Sequence, residues 1–173
     1  MTRAAAATEV DVGPCLSRGE IVALCTKAAR GAGMEWGLAE EAGFAAGWLA
    51  ARGIDGPRAL ADHLDRAQGM AWDAVCPVVS AGDWTTRTAG PMCPVALGAT
   101  LCDFAGLPQL ALDGAGLAAG PVSQPVILVP FLAAVVTAQD RALALRWPAG
   151  RVAIAPDGAV SGDLAALAAA VET

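Results

Sequence analysis

The stretch that decides the fold is residues 17–53, which read SRGEIVALCTKAARGAGMEWGLAEEAGFAAGWLAARG. It begins with Ser17 and Glu20 at the spacing of a capping box, in which each side chain binds a free backbone amide at a helix start. The apolar residues that follow have the spacing of one helical face: Ile21, Leu24, Cys25 and Ala28. Two glycines within residues 31–33 then end this first helix.

A second helix is predicted from Trp36 to Arg52. One of its faces carries only small residues, namely Ala39, Gly43, Ala46, Gly47 and Ala50. A glycine inside a helix lowers stability by ~1 kcal/mol relative to alanine. Two glycines on one face therefore indicate that something approaches closely, and helix–helix packing is the ordinary reason. A bound ligand is the alternative.

A third helix begins at Asp55-Gly-Pro57, because the missing amide of proline does no harm in a first helical turn. Leu60 and Leu64 lie on its inner face, and the helix ends near Gln68 and Gly69. Three helices joined by short loops make residues 17–69 a helical subdomain. A tail of residues 1–16 precedes it.

Residues 70–173 have a different pattern and are predicted to form an α+β subdomain. Strands are predicted at 74–79, 84–88, 107–112 and 126–129, helices at 95–104, 130–139 and 164–172, and a meander at 143–147, 152–155 and 159–161. Because strands and helices do not alternate regularly, the predicted fold class is α+β rather than α/β. The three-helix segment is expected to pack on a mixed or antiparallel sheet with additional helices, as one compact unit.

Composition excludes several classes of protein. The chain has 173 residues, 55% of them hydrophobic, and a mean hydropathy of +0.51, which excludes intrinsic disorder. Its 11 basic and 17 acidic side chains give a net charge of −6, so a basic nucleic-acid module is excluded. The longest uncharged stretch, 114–139, is interrupted by Pro121, Pro125 and Pro130, whereas a membrane span needs about 20 apolar residues. Neither nucleic acid nor a membrane is an expected partner.

The N-terminal residues, the cysteines, the single histidine and one glycine-rich segment predict the cellular compartment and the cofactors. The N-terminal residues lack the apolar core of a signal peptide, and the five cysteines contain no Cys-x-x-Cys pair. The protein is therefore predicted to be cytoplasmic, with reduced thiols. No metal is expected, because His63 is the single histidine. No cofactor is expected either, since the glycine-rich segment 114–120 runs into Pro121 where a dinucleotide-binding helix would continue.

Four short motifs resemble those of a known family. Lys-Ala-Ala-Arg-Gly-Ala-Gly occupies residues 27–33, and Trp-Gly-x-Ala-Glu-Glu-Ala occupies residues 36–42. Together with Cys-Pro-x-Ala-Leu-Gly at 93–98 and Pro-Asp-Gly at 156–158, they resemble a bacterial domain family of unknown function. The resemblance implies a shared fold over nearly all of the chain after residue 16. It implies no activity.

Cys93 is the candidate catalytic residue. It lies in the loop Pro91-Met-Cys93-Pro94, directly before a predicted helix. A helix N-terminus lowers the pKa of a thiol and turns it into a nucleophile. The alternative is a buried structural cysteine. His63 is interpreted as an exposed or core-edge histidine, so Cys93 has no identified base.

The candidate ligand-binding residues are Arg30, Arg87, Glu41 and Trp36. Arg30 has the bidentate geometry that grips a carboxylate or a phosphate, and Arg87 is a second cation for that role. Trp36 and Trp48 would wall the pocket, although tryptophan more often anchors a core. Alternatively, Lys27 and Arg30 form ion pairs with the glutamates of the second helix.

Two functions from different classes fit this sequence. The first is a protein that binds a small anionic metabolite, or an enzyme that acts on one, with a pocket between the helical and α+β parts. The second is a non-catalytic accessory subunit or an oligomerising interaction protein. Residues 1–70 carry 16 charged side chains and the remaining 103 residues carry 12. A surface with so few charges is often covered by another copy of the same chain. We therefore expect a homo-oligomer, in the simplest case a dimer.

Overall fold

The computed structural model describes residues 15–107 and 116–173. The elements of these residues, in chain order, are α1 Arg18–Gly31, α2 Trp36–Ala50, α3 Gly56–Ala67, α4 Trp72–Val75, β1 Asp83–Trp84, α5 Pro94–Phe104, β2 Ala118–Ala119, a 3₁₀ helix Pro125–Ile127, α6 Leu128–Gln139, β3 Leu143–Trp147, β4 Gly150–Ile154, β5 Val160–Gly162 and α7 Leu164–Ala169. Four helices precede the first strand of the described residues, and the predicted α+β class is confirmed.

Helix α1 begins as the sequence predicts but buries a different face. The Ser17 amide donates to Glu20 Oε2 at 2.8 Å and the Glu20 amide donates to Ser17 Oγ at 3.3 Å, so the capping box is present. The predicted apolar face is partly wrong, because Leu24 is 56% exposed while Cys25 and Ala29 are buried. The buried face is the one that α1 turns toward the small residues of α2.

The small residues of α2 are explained by the close approach of α1. A Cβ atom added at Gly43 would lie 2.2 Å from Thr26 Oγ1, and one added at Gly47 would lie 2.5 Å from Val22 Cγ2. Leu49 and the alanines on the other sides of α2 are buried too, so this helix lies inside the fold. Helix–helix packing is therefore the reason for the two glycines.

Helix α3 confirms its predicted start and inner face. The Asp55 carboxylate caps it by accepting from the Arg58 amide at 3.0 Å, and Pro57 stands in the first turn. Leu60 and Leu64 are buried. The helix ends at Ala67, next to the predicted end.

The predicted meander forms a three-stranded antiparallel sheet in the order β3-β4-β5. Leu145 pairs with Val152, and Ala153 pairs with Ser161. A second, two-stranded sheet joins β1 to β2 in parallel, with Trp84 opposite Ala119. The predicted helix at 95–104 is confirmed as α5.

Other predictions for this half are corrected. The run 126–129 is helical rather than a strand, because Pro125–Ile127 form a 3₁₀ turn that leads into α6. The run 74–79 is not a strand either. Its first two residues belong to α4, and of the rest only Val78 forms a β-bridge, which pairs it with Thr85. Of 84–88, only Trp84 is in a strand, and α7 ends before residue 172. Most of the predicted strand 107–112 lies outside the described residues.

The helical and α+β parts share one core. Helix α2 packs against α5 and α6, and β4 packs against α6 and α7. The buried cluster runs from Leu49 and Leu60 in the first part to Phe131 and Ile154 in the second. A smaller cluster surrounds Trp84 and Met92. The three N-terminal helices thus meet α5 and α6, and the antiparallel sheet lies against α6 and α7.

Candidate functional site

The structure places Cys93 at the N-cap of α5, inside the core. Its side chain is fully buried, and its Sγ accepts a hydrogen bond from the Ala96 amide at 3.5 Å. Pro94 follows in the first turn, where a residue without an N–H is favoured. The sequence correctly predicts a helix start at this thiol.

His63 is the partner that the sequence did not identify. Its Nε2 lies 3.2 Å from Cys93 Sγ, and its Nδ1 lies 3.2 Å from Ser123 Oγ. The interpretation of His63 as an exposed or core-edge residue is wrong, because only 2% of it is exposed. We call Cys93, His63 and Ser123 the thiol cluster.

A signal for the burial of His63 was present in the sequence. His63 follows Leu60 by three positions and precedes Leu64 by one, so it shares the inner face of α3. Its contact with Cys93 spans 30 residues and its contact with Ser123 spans 60. Ser123 itself carries no sequence signal, because it lies in the loop before the 3₁₀ helix.

The contacts of His63 are compatible with two ring tautomers. A backbone amide only donates, so Cys93 Sγ accepts from the Ala96 amide in either one. In the tautomer that carries its hydrogen on Nδ1, His63 donates to Ser123 Oγ and its Nε2 accepts from the thiol. That tautomer gives a hydrogen-bonded series from a thiol through an imidazole to a hydroxyl.

Burial keeps the thiol cluster neutral at rest. It raises the pKa of Cys93 to about 12, an effect that the amides of Ala96 and Val95 partly offset. Burial also lowers the pKa of His63 to about 4, and the positive charge of Arg66 adds to that shift. A nucleophile, a base and a third group that orients the base are therefore present in hydrogen-bonding order, but in their uncharged forms.

The other predicted site residues make separate sets of contacts. The Arg30 guanidinium lies 4.9 Å from the centre of the Trp36 ring and donates to the Met34 carbonyl, so the structure brings these two candidates together. Arg87 pairs with Asp73 at 3.7 Å on an exposed surface. Glu41 does not join them, and neither does Cys93.

Glu41 lies on α2 beside the end of α5. Burial raises the pKa of its carboxyl, and the negative charges of Asp103 and Glu40 add to this effect. The alternative ion pairs between α1 and α2 are not formed, since no ion pair of the described residues joins Lys27 or Arg30 to Glu40 or Glu41. Glu41 thus belongs to an acidic corner.

A groove lies between the two parts of the protein, away from the thiol cluster. It has a volume of about 390 Å³ and is lined by Phe44, Trp48, Arg52, Pro130, Ala133, Ala134, Thr137, Ala138, Asp157 and Gly158. Helix α2 forms one wall, α6 forms the other, and the β4–β5 turn closes one side. We call it the α2–α6 groove. None of the residues Arg30, Trp36, Glu41, Arg87 and Cys93 lines it.

Arg52 is the cation of the α2–α6 groove. Its guanidinium lies 3.4 Å from the centre of the Trp48 ring, and its Nη1 donates to the Trp48 carbonyl at 3.3 Å. The Asp157 carboxylate accepts from the Ala159 amide at 2.9 Å within its own turn, and no ion pair joins it to Arg52 in the described residues. Arg52 therefore remains the group that can bind an anion, and most of its N–H donors are not used by the bond to Trp48.

Within the described ranges 15–107 and 116–173, no helix is long and apolar enough to cross a membrane. No group of three or more His, Cys, Asp or Glu side chains in them is arranged to hold a metal ion.

Comparison with known proteins finds a family match over part of the chain and no activity. Residues 16–93 match the model of a family described as "Protein of unknown function (DUF3726)". The match begins just before α1 and ends at Cys93, so it includes all of α2, α3 and His63. No curated protein and no solved structure matches the chain.

Proposed function

Since residues 16–93 match the model of a family of unknown function, we propose from the geometry alone that the protein binds a small anionic molecule in the α2–α6 groove. The observation that carries the proposal is Arg52, whose guanidinium carbon lies 3.4 Å from the centre of the Trp48 ring at the edge of an apolar cleft between the helical and α+β parts. A cytoplasmic location remains part of this prediction.

The lining of the groove defines the ligand class. Phe44, Pro130 and Ala133 present apolar surface, which favours a flat or hydrocarbon body. The Arg52 guanidinium favours a carboxylate, sulfonate or phosphate, because charge-assisted hydrogen bonds are about twice as strong as neutral ones. Stacking on Trp48 holds the guanidinium in place, so less side-chain freedom is lost when an anion binds. The ligand is thus an amphiphile with one anionic end.

A pair of matched fluorescent probes tests this function. The aromatic sulfonate 1-anilinonaphthalene-8-sulfonate carries the expected charge, and N-phenyl-1-naphthylamine is the same ring system without it. We expect Arg52→Gln to weaken binding of the sulfonate about tenfold, the effect of losing one charge-assisted contact. Binding of the uncharged probe should stay within about twofold, because the apolar walls are unchanged.

Arg30→Gln is the matched control for this experiment. Arg30 is also stacked on a tryptophan, but it does not line the α2–α6 groove. This variant should bind both probes as the unaltered protein does. If Arg30→Gln weakens sulfonate binding and Arg52→Gln does not, the anion site lies at the α1–α2 corner and the groove proposal fails.

A second candidate function is that of an interaction subunit that pairs with another copy of itself. The observation in its favour is a run of four exposed large apolar side chains between residues 70 and 79, which are Met70, Trp72, Val78 and Val79 at 37% to 46% exposure. Exposed apolar clusters of this kind mark interaction surfaces. Under this proposal the protein is a homodimer.

The oligomeric state in solution tests the pairing. Light scattering should give the mass of a dimer at concentrations of about 50 μM, a range in which modest interfaces are occupied. Val79→Glu should return the monomer mass, because it buries a charge in the interface. Leu24→Glu, an exposed position on α1, should leave the dimer intact. A monomer at every concentration would contradict the proposal.

A further inference from the structure

The thiol cluster is a second candidate site, independent of the α2–α6 groove. We propose that Cys93 is a nucleophile toward small acyl esters, with His63 as its base and Ser123 as the residue that positions the base. The proposal rests on the order of the contacts and on the position of the thiol at the start of α5.

The order of contacts is that of an activated nucleophile. His63 Nε2 faces the thiol at 3.2 Å, and the opposite ring nitrogen faces Ser123 Oγ at 3.2 Å. In the tautomer with hydrogen on Nδ1, the serine oxygen accepts from Nδ1–H and Nε2 is free to take the thiol proton. A nucleophile, a base within hydrogen-bond reach and a third group that orients the base are the geometric signature of covalent catalysis.

The position of Cys93 supplies the electrostatic part of the site. The Ala96 amide points at Sγ from the first turn of α5, and the partial positive charge of a helix N-terminus stabilises a thiolate or an oxyanion nearby. Capping the helix alone would not require an imidazole on the other side of the sulfur. Cys25, the other buried cysteine, has no histidine partner, since His63 is the only histidine in the chain.

Reaction requires the cluster to open, because all three side chains are buried. The segment that carries Cys93 is held by the Cys93 amide, which donates to the Val75 carbonyl at 2.8 Å, and by the Met92 amide, which donates to the Pro121 carbonyl at 2.7 Å. When this segment opens, water and a small ester reach the sulfur together. Water then solvates the thiolate and the imidazolium, and this favours transfer of the thiol proton to the imidazole.

The step balances without a cofactor. The thiol proton passes to His63 Nε2 as Sγ forms a bond to the carbonyl carbon of the ester. The bond from that carbon to the leaving oxygen breaks, and Nε2 returns the proton to the departing oxygen. The products are an S-acyl Cys93 and a free alcohol or phenol.

The experiment uses p-nitrophenyl acetate on the folded, full-length protein. Peptide mass spectrometry after quenching gives the acetylation rates of Cys93 and Cys25 in the same sample. We expect Cys93 to react at least about tenfold faster than Cys25, a modest part of the gain that a positioned base provides. Using the ratio within one protein removes differences in ester concentration and quenching between samples. Because an unfolded variant would also give a ratio near one, each variant is assayed only where urea unfolding shows that it is folded.

Variants separate a base from a structural side chain. His63→Gln should bring the Cys93/Cys25 rate ratio close to one. Ser123→Ala should lower it about tenfold, and Ser123→Thr, which keeps the hydroxyl, should restore it. Equal rates for the two cysteines in the unaltered protein would overturn the proposal, and so would a ratio that His63→Gln leaves unchanged.

Discussion

Replacing Gly43 with alanine is expected to lower the free energy of unfolding by about 2 kcal/mol. The cause is steric. The added Cβ would lie 2.2 Å from Thr26 Oγ1 and 2.7 Å from the Val22 carbonyl oxygen, and both distances are too short for a methyl group. Thr26 can rotate its side chain, but the Val22 oxygen belongs to the backbone of α1 and can move only if the helix moves.

Two opposing terms set the size of this effect. Alanine favours a helix interior over glycine by about 1 kcal/mol, so an unhindered site would gain stability. Overpacking at a well-packed contact costs about 1–3 kcal/mol or more, because neighbouring backbone must shift. The second term wins at Gly43, because the added Cβ would meet the backbone of α1 as well as the Thr26 side chain. Valine at the same position should cost more than alanine, since its two additional methyl groups need further displacement of α1.

Gly37 gives a matched control in the same helix. A Cβ atom added there meets nothing within 4 Å, so Gly37→Ala should leave stability unchanged or raise it by up to about 1 kcal/mol. Urea unfolding of the two variants and the unaltered protein measures the difference. If Gly43→Ala is as stable as Gly37→Ala, the two helices are further apart than the structure shows.

The sequence predicts α1, α2 and α3 well because their signals are local. The Ser17–Glu20 capping box and the Asp55 cap lie within one turn of the amides they bind. The exposure of Leu24 could not be predicted in the same way. In an alanine-rich helix the apolar pattern is weak, and the partner decides which face is buried. Here the partner is the glycine face of α2, because only that face lets another backbone come so close.

The second half was harder to predict because short apolar runs do not distinguish strands from helices. The run from Val126 to Val129 is rich in β-branched residues and yet continues from a 3₁₀ turn into α6. Pro130 does not prevent this, since a proline is tolerated in the first turn of a helix. The meander at 143–162 was predictable, because its turns carry Pro and Gly at the required positions.

The candidate sites depend on contacts between distant residues. A single sequence places Cys93 at a helix start, but it cannot bring His63 and Ser123 to the sulfur across 30 and 60 residues. Arg52 was missed, although its signal was local. Trp48 and Arg52 are four positions apart at the end of α2, which is the spacing for a stacked pair on one helix face. The opposite wall of the groove is formed by α6, and no local pattern around Arg52 predicts that α6 lies there.

Acidification is expected to destabilise the protein through its single histidine. The folded state lowers the pKa of His63 from the ordinary 6.5 to about 4, mainly by burial and further by Arg66. The unfolded chain therefore binds a proton more readily than the folded one, so stability falls as the pH drops below 6.5 and this loss is complete near pH 4. From these two pKa values, proton linkage lowers the free energy of unfolding by about 2 kcal/mol between about pH 8 and pH 5, and by about 3 kcal/mol at about pH 4.

The comparison with His63→Gln isolates this contribution, because carboxylates also titrate at the acid end of the range. Glu41, whose pKa is raised by burial, is common to both proteins, so its effect cancels in the difference between their stability curves. That difference should change by about 2 kcal/mol from about pH 8 to pH 5, with the variant losing less stability. Because the chain has one histidine, its imidazole NMR signal reports the same event directly and should not titrate above about pH 5. Two results would contradict this prediction: parallel stability curves, or an imidazole that titrates near its ordinary pKa of 6.5. Either would mean that His63 is exposed to water and that the buried hydrogen bonds from Cys93 through His63 to Ser123 do not exist in solution.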